Sequence, residues 1–147
     1  MARKPKATTV QGAVTAMQAV LSPPIEPPWP LPAESRPIWV EIIGRRARDE
    51  WQAIDLRFAW ELAELLGRLR MEHEALSGED SVIKGKANPR HRLIGDLEGR
   101  ALGLARYLRI HPASEVNRPQ HLRGKRQAQR QAAEAIGAVT GTSFLAN

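Results

Sequence analysis

Residues 51–76, WQAIDLRFAWELAELLGRLRMEHEAL, decide the fold, and they contain no proline and one internal glycine, Gly67. Apolar residues recur along this stretch at the three- and four-residue spacing of one helix face: Trp51, Ile54, Phe58, Leu62, Leu65, Leu69 and Leu76. A second apolar stripe widens that face: Leu56, Ala59, Trp60, Ala63 and Leu66. A helix of this length is about 39 Å long. Its wide apolar face predicts packing partners on more than one side.

The residues before this helix predict two shorter helices joined by an extended linker. Residues 8–21 have an amphipathic helical pattern, whereas seven prolines between positions 23 and 37 exclude helix and central strand. Trp29, inside the proline-rich run, is expected to dock on the helical core. Ser35 is a typical N-cap residue, and the helix that it begins is predicted to end at about Arg48 and to form a tight corner with the long helix.

The residues after the long helix predict a loop and two more helices. The polar, glycine-containing stretch 77–90 indicates a loop with a small hairpin, and the helices are expected at 89–109 and 120–139. The first of them carries glycines at every fourth position: Gly95, Gly99 and Gly103. Each glycine costs about 1 kcal/mol in a helix interior. This spacing favours a close helix contact, within the hairpin or from a neighbouring subunit, over a loosely packed face.

The overall pattern predicts an all-α fold with a long helical hairpin at its centre. Residues 1–32 form a basic N-terminus with a possible short helix and a proline-rich linker. Residues 33–113 form a helical oligomerisation core, and residues 114–147 form a basic C-terminal tail with a helix. The core residues expected at the subunit interface are Trp51, Phe58, Trp60, Leu62, Leu66, Gly95, Gly99 and Gly103.

The net charge of +6 is unevenly distributed along the chain. Residues 1–22 carry +3, residues 23–113 balance 14 basic against 14 acidic side chains, and residues 114–147 carry +3. Basic ends on a neutral body favour a polyanion such as nucleic acid, although they can also simply increase solubility. The residues expected to contact DNA are Arg3, Lys4, Lys6, Arg45, Arg46, Arg48, Arg118, Arg123, Lys125, Arg126 and Arg130. Arg45, Arg46 and Arg48 also suit the C-terminal dipole of a helix, which is the preferred interpretation of these three residues.

No catalytic or cofactor-binding pattern is recognisable in the sequence. It contains no phosphate-binding glycine loop, dinucleotide fingerprint or nucleophile elbow, and its four histidines are too far apart for metal-ligand spacing. The absence of cysteine fits a reducing compartment. The apolar run 10–21 is too short and polar for a membrane span or a secretory signal. We therefore expect a cytoplasmic binding and assembly protein without cofactor, metal or membrane partner.

Residues 31–114 resemble the core of phage terminase small subunits, through the order and spacing of four pieces. A proline-containing lead-in with a tryptophan, LPAESRPIW, precedes the acidic-aromatic start of a long helix, RDEWQAIDLRFAWELAELLGRL. A glycine-containing loop then ends in Asn-Pro, KGKANPRHRLIGDLEGRALGLARYL, and a short Pro-Ala-Ser end follows. The chain departs from that family at His111, where a threonine is usual.

The resemblance implies a virus-encoded helical protein of the host cytoplasm that forms a homo-oligomeric ring. Such a ring recognises double-stranded viral DNA and presents it to the large terminase subunit, which holds the ATPase and nuclease. Two alternatives are a helical adaptor whose tails bind protein and a dimeric helix-turn-helix regulator. The C-terminal helix can equally dock the large subunit instead of DNA.

Overall fold

The computed structural model describes residues 9–111 and 120–143, and it confirms the predicted all-α class. The helices in chain order are α1 (Val10–Leu21), α2 (Arg36–Ile43), α3 (Ala53–Ser77), α4 (Arg90–Tyr107) and α5 (Gln120–Ser143). A 3-10 turn, Arg48–Glu50, precedes α3. The predicted hairpin between α3 and α4 is also present, as the antiparallel strands β1 (Val82–Ile83) and β2 (Lys86–Ala87).

The contacts within the chain divide it into two compact units. Unit 1 comprises Met1–Ile25, Arg46–Glu50 and Asn117–Asn147, and unit 2 comprises Glu26–Arg45 and Trp51–Val116. In unit 1, α1 packs on α5, and in unit 2, α3 packs on both α2 and α4. The two basic ends of the sequence therefore belong to one unit.

The two packing partners of α3 account for its wide apolar face. Its buried residues come from both predicted stripes: Ala59, Leu62, Ala63 and Leu65. The buried residues facing this core from α2 and α4 are Trp39, Ile42, Ile94, Leu97 and Ala101. The N-terminal end of α3 is less enclosed, since Ile54 remains 46% exposed.

Gly67 allows α3 to approach the start of α2 closely. A Cβ atom built on Gly67 would lie 2.2 Å from Ser35 Oγ and 3.3 Å from Ser35 Cβ, so no larger residue fits without a shift. Ser35 occupies the predicted N-cap position, but its side chain makes no capping hydrogen bond and is buried. The sequence predicted that Ser35 caps α2. In the structure, Ser35 instead provides a small side chain at the close contact with Gly67.

The proline-rich segment is attached to α3 through two tryptophans, as predicted for Trp29. The Trp60 Nε1–H donates to the Trp29 carbonyl oxygen at 3.1 Å, and the two rings meet edge to face with centroids 5.3 Å apart. The Arg57 guanidinium lies 5.7 Å from the Trp29 ring centroid. The proline-rich segment is thus held on α3 by a side-chain donor and an aromatic contact.

The predicted C-terminal end of α2 is wrong by five residues. The helix ends at Ile43 rather than near Arg48, with Gly44 as its C-cap. Nine residues separate α2 from α3, so the tight corner is absent, and within them Arg48–Glu50 forms its own turn. The Trp51 indole N–H donates to the Ile43 carbonyl at 3.1 Å, which satisfies a terminal acceptor of α2.

A polar cluster fixes the connection between α3 and α4. Arg90 pairs with Glu72 of α3 and makes two hydrogen bonds with Glu79, of 2.8 and 3.1 Å. The buried Asn88 donates to Glu79 at 2.9 Å, and its Oδ1 accepts from the Arg90 backbone N–H at 3.0 Å. The Arg90 and Asn88 hydrogen bonds lower the pKa of Glu79 to about 2.

We expect Gly67→Ala to destabilise unit 2, because the new methyl group overlaps Ser35 Oγ. The expected loss of unfolding free energy is about 1–3 kcal/mol, measured by denaturant titration. Gly137→Ala in α5 is the control, since no described residue lies within 4 Å of a Cβ built there, and it should be neutral or stabilising. Adding Ser35→Ala to Gly67→Ala should restore part of the lost unfolding free energy. An equal change in stability for the two glycine variants would contradict this role for Gly67.

The Glu79 pairing should make stability depend on acidity in a defined range. Because the folded-state pKa is lowered, the contribution is complete above the ordinary value of 4.5 and is lost as the pH falls towards about 2. The melting temperatures of wild type and Glu79→Gln should therefore differ most at neutral pH and converge near pH 2. Glu64→Gln, on the exposed side of α3, is the control for the loss of one carboxylate.

Candidate nucleic-acid interface

The positive charge of the protein is concentrated in unit 1. Its sequence contains ten Lys or Arg residues and three Asp or Glu residues, which gives +7, whereas unit 2 contains twelve basic and thirteen acidic residues, which gives −1. Because both ends of the chain and the Arg46–Glu50 segment share this unit, the separation is sharper than the sequence order indicates. Unit 1 is the candidate surface for a polyanion.

The helix α5 supplies the basic residues that are best described. It covers the predicted range 120–139 and continues to Ser143. Arg126 and Arg130 lie four residues apart, so this helix places them on one face. Arg130 is exposed and Arg126 is partly exposed. Position 123 lies on the same stretch of α5, but its side chain is outside the described part of the structure.

The segment Arg48–Glu50 is held to α5 by two polar contacts. The Arg48 backbone N–H donates to Gln129 Oε1 at 3.1 Å, and Lys125 forms an ion pair with Asp49. These partners are 81 and 76 residues apart in sequence. No local sequence pattern indicated that Asp49 or Gln129 makes these contacts. Lys125, a predicted DNA contact, already has an acidic partner inside the unit.

The predicted arginine cluster after α2 is not one surface. Arg45 belongs to unit 2 and pairs with Glu41 at 2.8 Å, while Arg46 and Arg48 belong to unit 1. Arg46 donates to the Glu50 carbonyl at 2.6 Å, and its Nε lies 3.7 Å from Glu50 Oε2. A phosphate at Arg45 or Arg46 would therefore compete with an existing carboxylate. The remaining predicted contacts lie outside the described residues: Arg3, Lys4, Lys6 and Arg118.

The aromatic residues predicted at the subunit interface make contacts within unit 2. The Trp51 and Trp60 indoles donate to carbonyls of the same chain, and Phe58 packs edge to face on Tyr107 with centroids 4.7 Å apart. All three aromatic residues keep part of their surface exposed. Leu62 is only 2% exposed and lies in the core of its own chain. The sequence pattern did not distinguish this core role from an interface role.

The glycine stripe of α4 faces open space within the chain. Nothing lies within 4 Å of a Cβ built on Gly95, Gly99 or Gly103. The alternative that these glycines admit a close contact inside the α3–α4 hairpin is therefore wrong. The two remaining alternatives for this face are contact with a neighbouring subunit and a loosely packed, exposed surface.

An apolar groove of about 390 Å³ lies between α2, α3 and the C-terminal half of α4. Leu66, the remaining predicted interface residue, lines it together with other residues, mainly aliphatic, that include Ile38, Ile42, Leu69, Leu102 and Ile110. Such a lining is suited to packing rather than to acid–base chemistry. Within the described residues, no three His, Cys, Asp or Glu side chains are grouped as a metal site requires.

Comparison with known protein families gives one match over nearly the whole chain. The model of the Hendrixvirinae small terminase family matches residues 1–140. A search of the curated proteins finds no match. Across the described residues, every helix is too short or too polar to cross a membrane.

Proposed function

We propose a function for this chain from one established fact, that it belongs to the Hendrixvirinae small terminase family. It is a small subunit of a phage DNA-packaging machine and is not a catalyst, because the ATPase and nuclease of terminases belong to the large subunit. The proposal is that copies of it form a ring in the host cytoplasm. The ring binds double-stranded viral DNA and presents it to the large subunit.

The observation that carries this proposal is the separation of charge between the two units. DNA presents a dense row of phosphates, and binding by Lys and Arg releases condensed counterions. Unit 1, at +7, supplies this electrostatic term, whereas unit 2, at −1, is suited to contact other copies without strong repulsion. Phosphate contacts fix position on DNA and carry no base sequence themselves.

The exposed basic face of α5 is the proposed principal contact. Among the described cations of this helix, Arg130 is the exposed one, whereas Lys125 is paired with Asp49. One or two arginines give weak binding alone. A ring repeats the same face in every copy, and the contacts then add by multivalency.

The open face of α4 supports assembly of unit 2. Three glycines in register let a second helix approach at backbone distance, and their cost in helix propensity is about 1 kcal/mol each. Within the described residues of one chain, no atom lies within 4 Å of a Cβ built on these glycines. We place a neighbouring subunit there, so that the glycine face and the adjacent Leu102, 39% exposed, become buried on assembly.

The helix-turn-helix alternative has less support from the geometry. The turn of that motif spans about three or four residues, whereas nine residues separate α2 from α3. In addition, α3 is 25 residues long and packs on both α2 and α4, unlike a short recognition helix that lies in a DNA groove.

Removal of the α5 arginines should weaken DNA binding and reduce its salt dependence. For the double variant Arg126→Gln/Arg130→Gln, the plot of log affinity against log salt should become shallower by about 1.8 for each bound copy. The control is Arg70→Gln/Arg100→Gln, which removes the same charge from exposed arginines of unit 2. Binding is measured by fluorescence anisotropy with double-stranded DNA at several salt concentrations. Unchanged affinity and slope would exclude these two arginines as the DNA contact.

Gly99→Leu should prevent assembly while leaving the fold of the single chain intact. The leucine meets no atom within 4 Å of its Cβ in one chain, but it would occupy the space proposed for the neighbour. Native mass spectrometry should show a ring for wild type and smaller species for the variant, with equal helical circular dichroism. Glu64→Leu adds the same side chain to the exposed polar face of α3 and is the control. A ring of unchanged mass in Gly99→Leu would remove the glycine face from the interface.

A further inference from the structure

The helix α1 has more apolar surface than its partner in unit 1 covers. Its sequence, VQGAVTAMQAVL, contains no charged residue. Gly12 and Ala16 are its buried residues, and it packs on α5. Small residues on this face permit a close helix contact. A helix that is apolar on a second face as well normally has a second partner.

That second face is a narrow, exposed stripe, which we call the α1 seam. It consists of Val10, Val14, Met17 and Leu21, which are 84%, 48%, 45% and 71% exposed. Their spacing of four, three and four residues is that of a coiled-coil contact line. These four residues are a third of the twelve large hydrophobic residues that are exposed in the described part of the chain, on a helix of twelve residues.

The helix itself is well defined at both ends, so the seam has a fixed geometry. The Thr9 side chain accepts a hydrogen bond from the Gly12 backbone N–H at 3.2 Å, which caps the N-terminus. At the other end, the Ser22 hydroxyl and backbone N–H both donate to the Gln18 carbonyl, at 2.8 and 3.1 Å. The four seam residues therefore project from three successive turns of one ordered helix.

We infer that the α1 seam is covered by a second copy of this chain, which makes α1 a self-association element separate from the α3–α4 hairpin. The inference rests on the proposed ring, which brings copies of unit 1 close together. A twelve-residue helix associates too weakly alone, but a ring raises the effective concentration of its neighbours. The absence of charge favours an identical copy, because discrimination between different helices generally uses charged flanking residues.

A membrane surface fits the seam less well. Helices that lie in a membrane interface carry Lys or Arg on their polar face. The polar face of α1 consists of Gln11, Thr15 and Gln18, all neutral and exposed. A short neutral helix of this kind lacks the electrostatic attraction to anionic lipids.

The first test changes the charge of the seam. The double variant Val14→Glu/Met17→Glu should weaken the oligomer, so that it dissociates at a protein concentration at least tenfold higher than wild type. Dissociation is measured by native mass spectrometry of the full chain over a dilution series. Thr15→Glu/Gln18→Glu places the same charges on the polar face and should leave the dissociation unchanged. Both pairs of positions are exposed in the single chain, so its helical content should stay the same. Equal dissociation curves for the two variants would overturn the inference.

The second test uses the absence of cysteine from the chain. In the assembled wild-type background, Val14→Cys should react with a maleimide at least tenfold more slowly than Thr15→Cys, and the difference should vanish after dilution to monomer. A ring in which both cysteines react equally fast would overturn the seam contact alone. A dimer with protection only at position 14 would overturn the ring but retain the seam. If only the large subunit, and not a second copy, protects position 14, the seam belongs to that partner and the inference is wrong.

Discussion

Unit 2 depends on α3 being packed on two sides at once. One side requires an approach to Ser35 that only glycine at position 67 permits, and the other is closed by α4. A buried aliphatic side chain such as Leu62 contributes about 1.5–3 kcal/mol, more than the roughly 1 kcal/mol of a typical N-cap. Ser35 itself has helical backbone angles, φ −87° and ψ −17°, rather than the extended angles typical of a capping residue, and its side chain packs in the contact. The remaining elements of the unit are arranged around that packing: the Trp29–Trp60 contact holds the linker, and the Arg90 cluster closes the hairpin.

The sequence predicted the helices well where apolar periodicity was long and regular. The bounds of α3 and α4 agree with the prediction within two residues, because their patterns extend over several turns and end at glycine or proline signals. The end of α2 was wrong because three basic residues within positions 45–48 looked like a helix terminus, whereas the helix had already ended at Ile43 with Gly44 as its C-cap. The role of Gly67 could not be predicted either, because the residues around it in sequence do not show that Ser35 packs against it.

The candidate nucleic-acid interface was only partly predictable, and the reason is the separation of its parts in sequence. Composition identified the basic ends, and the helical register of α5 identified Arg126 and Arg130. The grouping of Arg46–Glu50 with α5 depends on contacts of Arg48 and Asp49 with residues more than 70 positions away. Polar contacts of this kind leave no periodic signal. One of these contacts also involves Lys125, which the sequence analysis predicted to bind DNA but which forms an ion pair with Asp49 in the fold.

The uncharged α1 and the basic α5 lie in the same unit, and this combination has a consequence for the proposed assembly. Each copy adds +7 to whatever unit 1 approaches, so copies repel one another at low salt. At physiological ionic strength the screening length is about 8 Å, which reduces this repulsion but does not remove it between adjacent helices. Apolar contact through the α1 seam opposes the repulsion, and neutralisation by DNA phosphates removes it. On the proposed function, DNA binding and contact between copies of unit 1 therefore favour each other, and by thermodynamic linkage each must strengthen the other by the same factor.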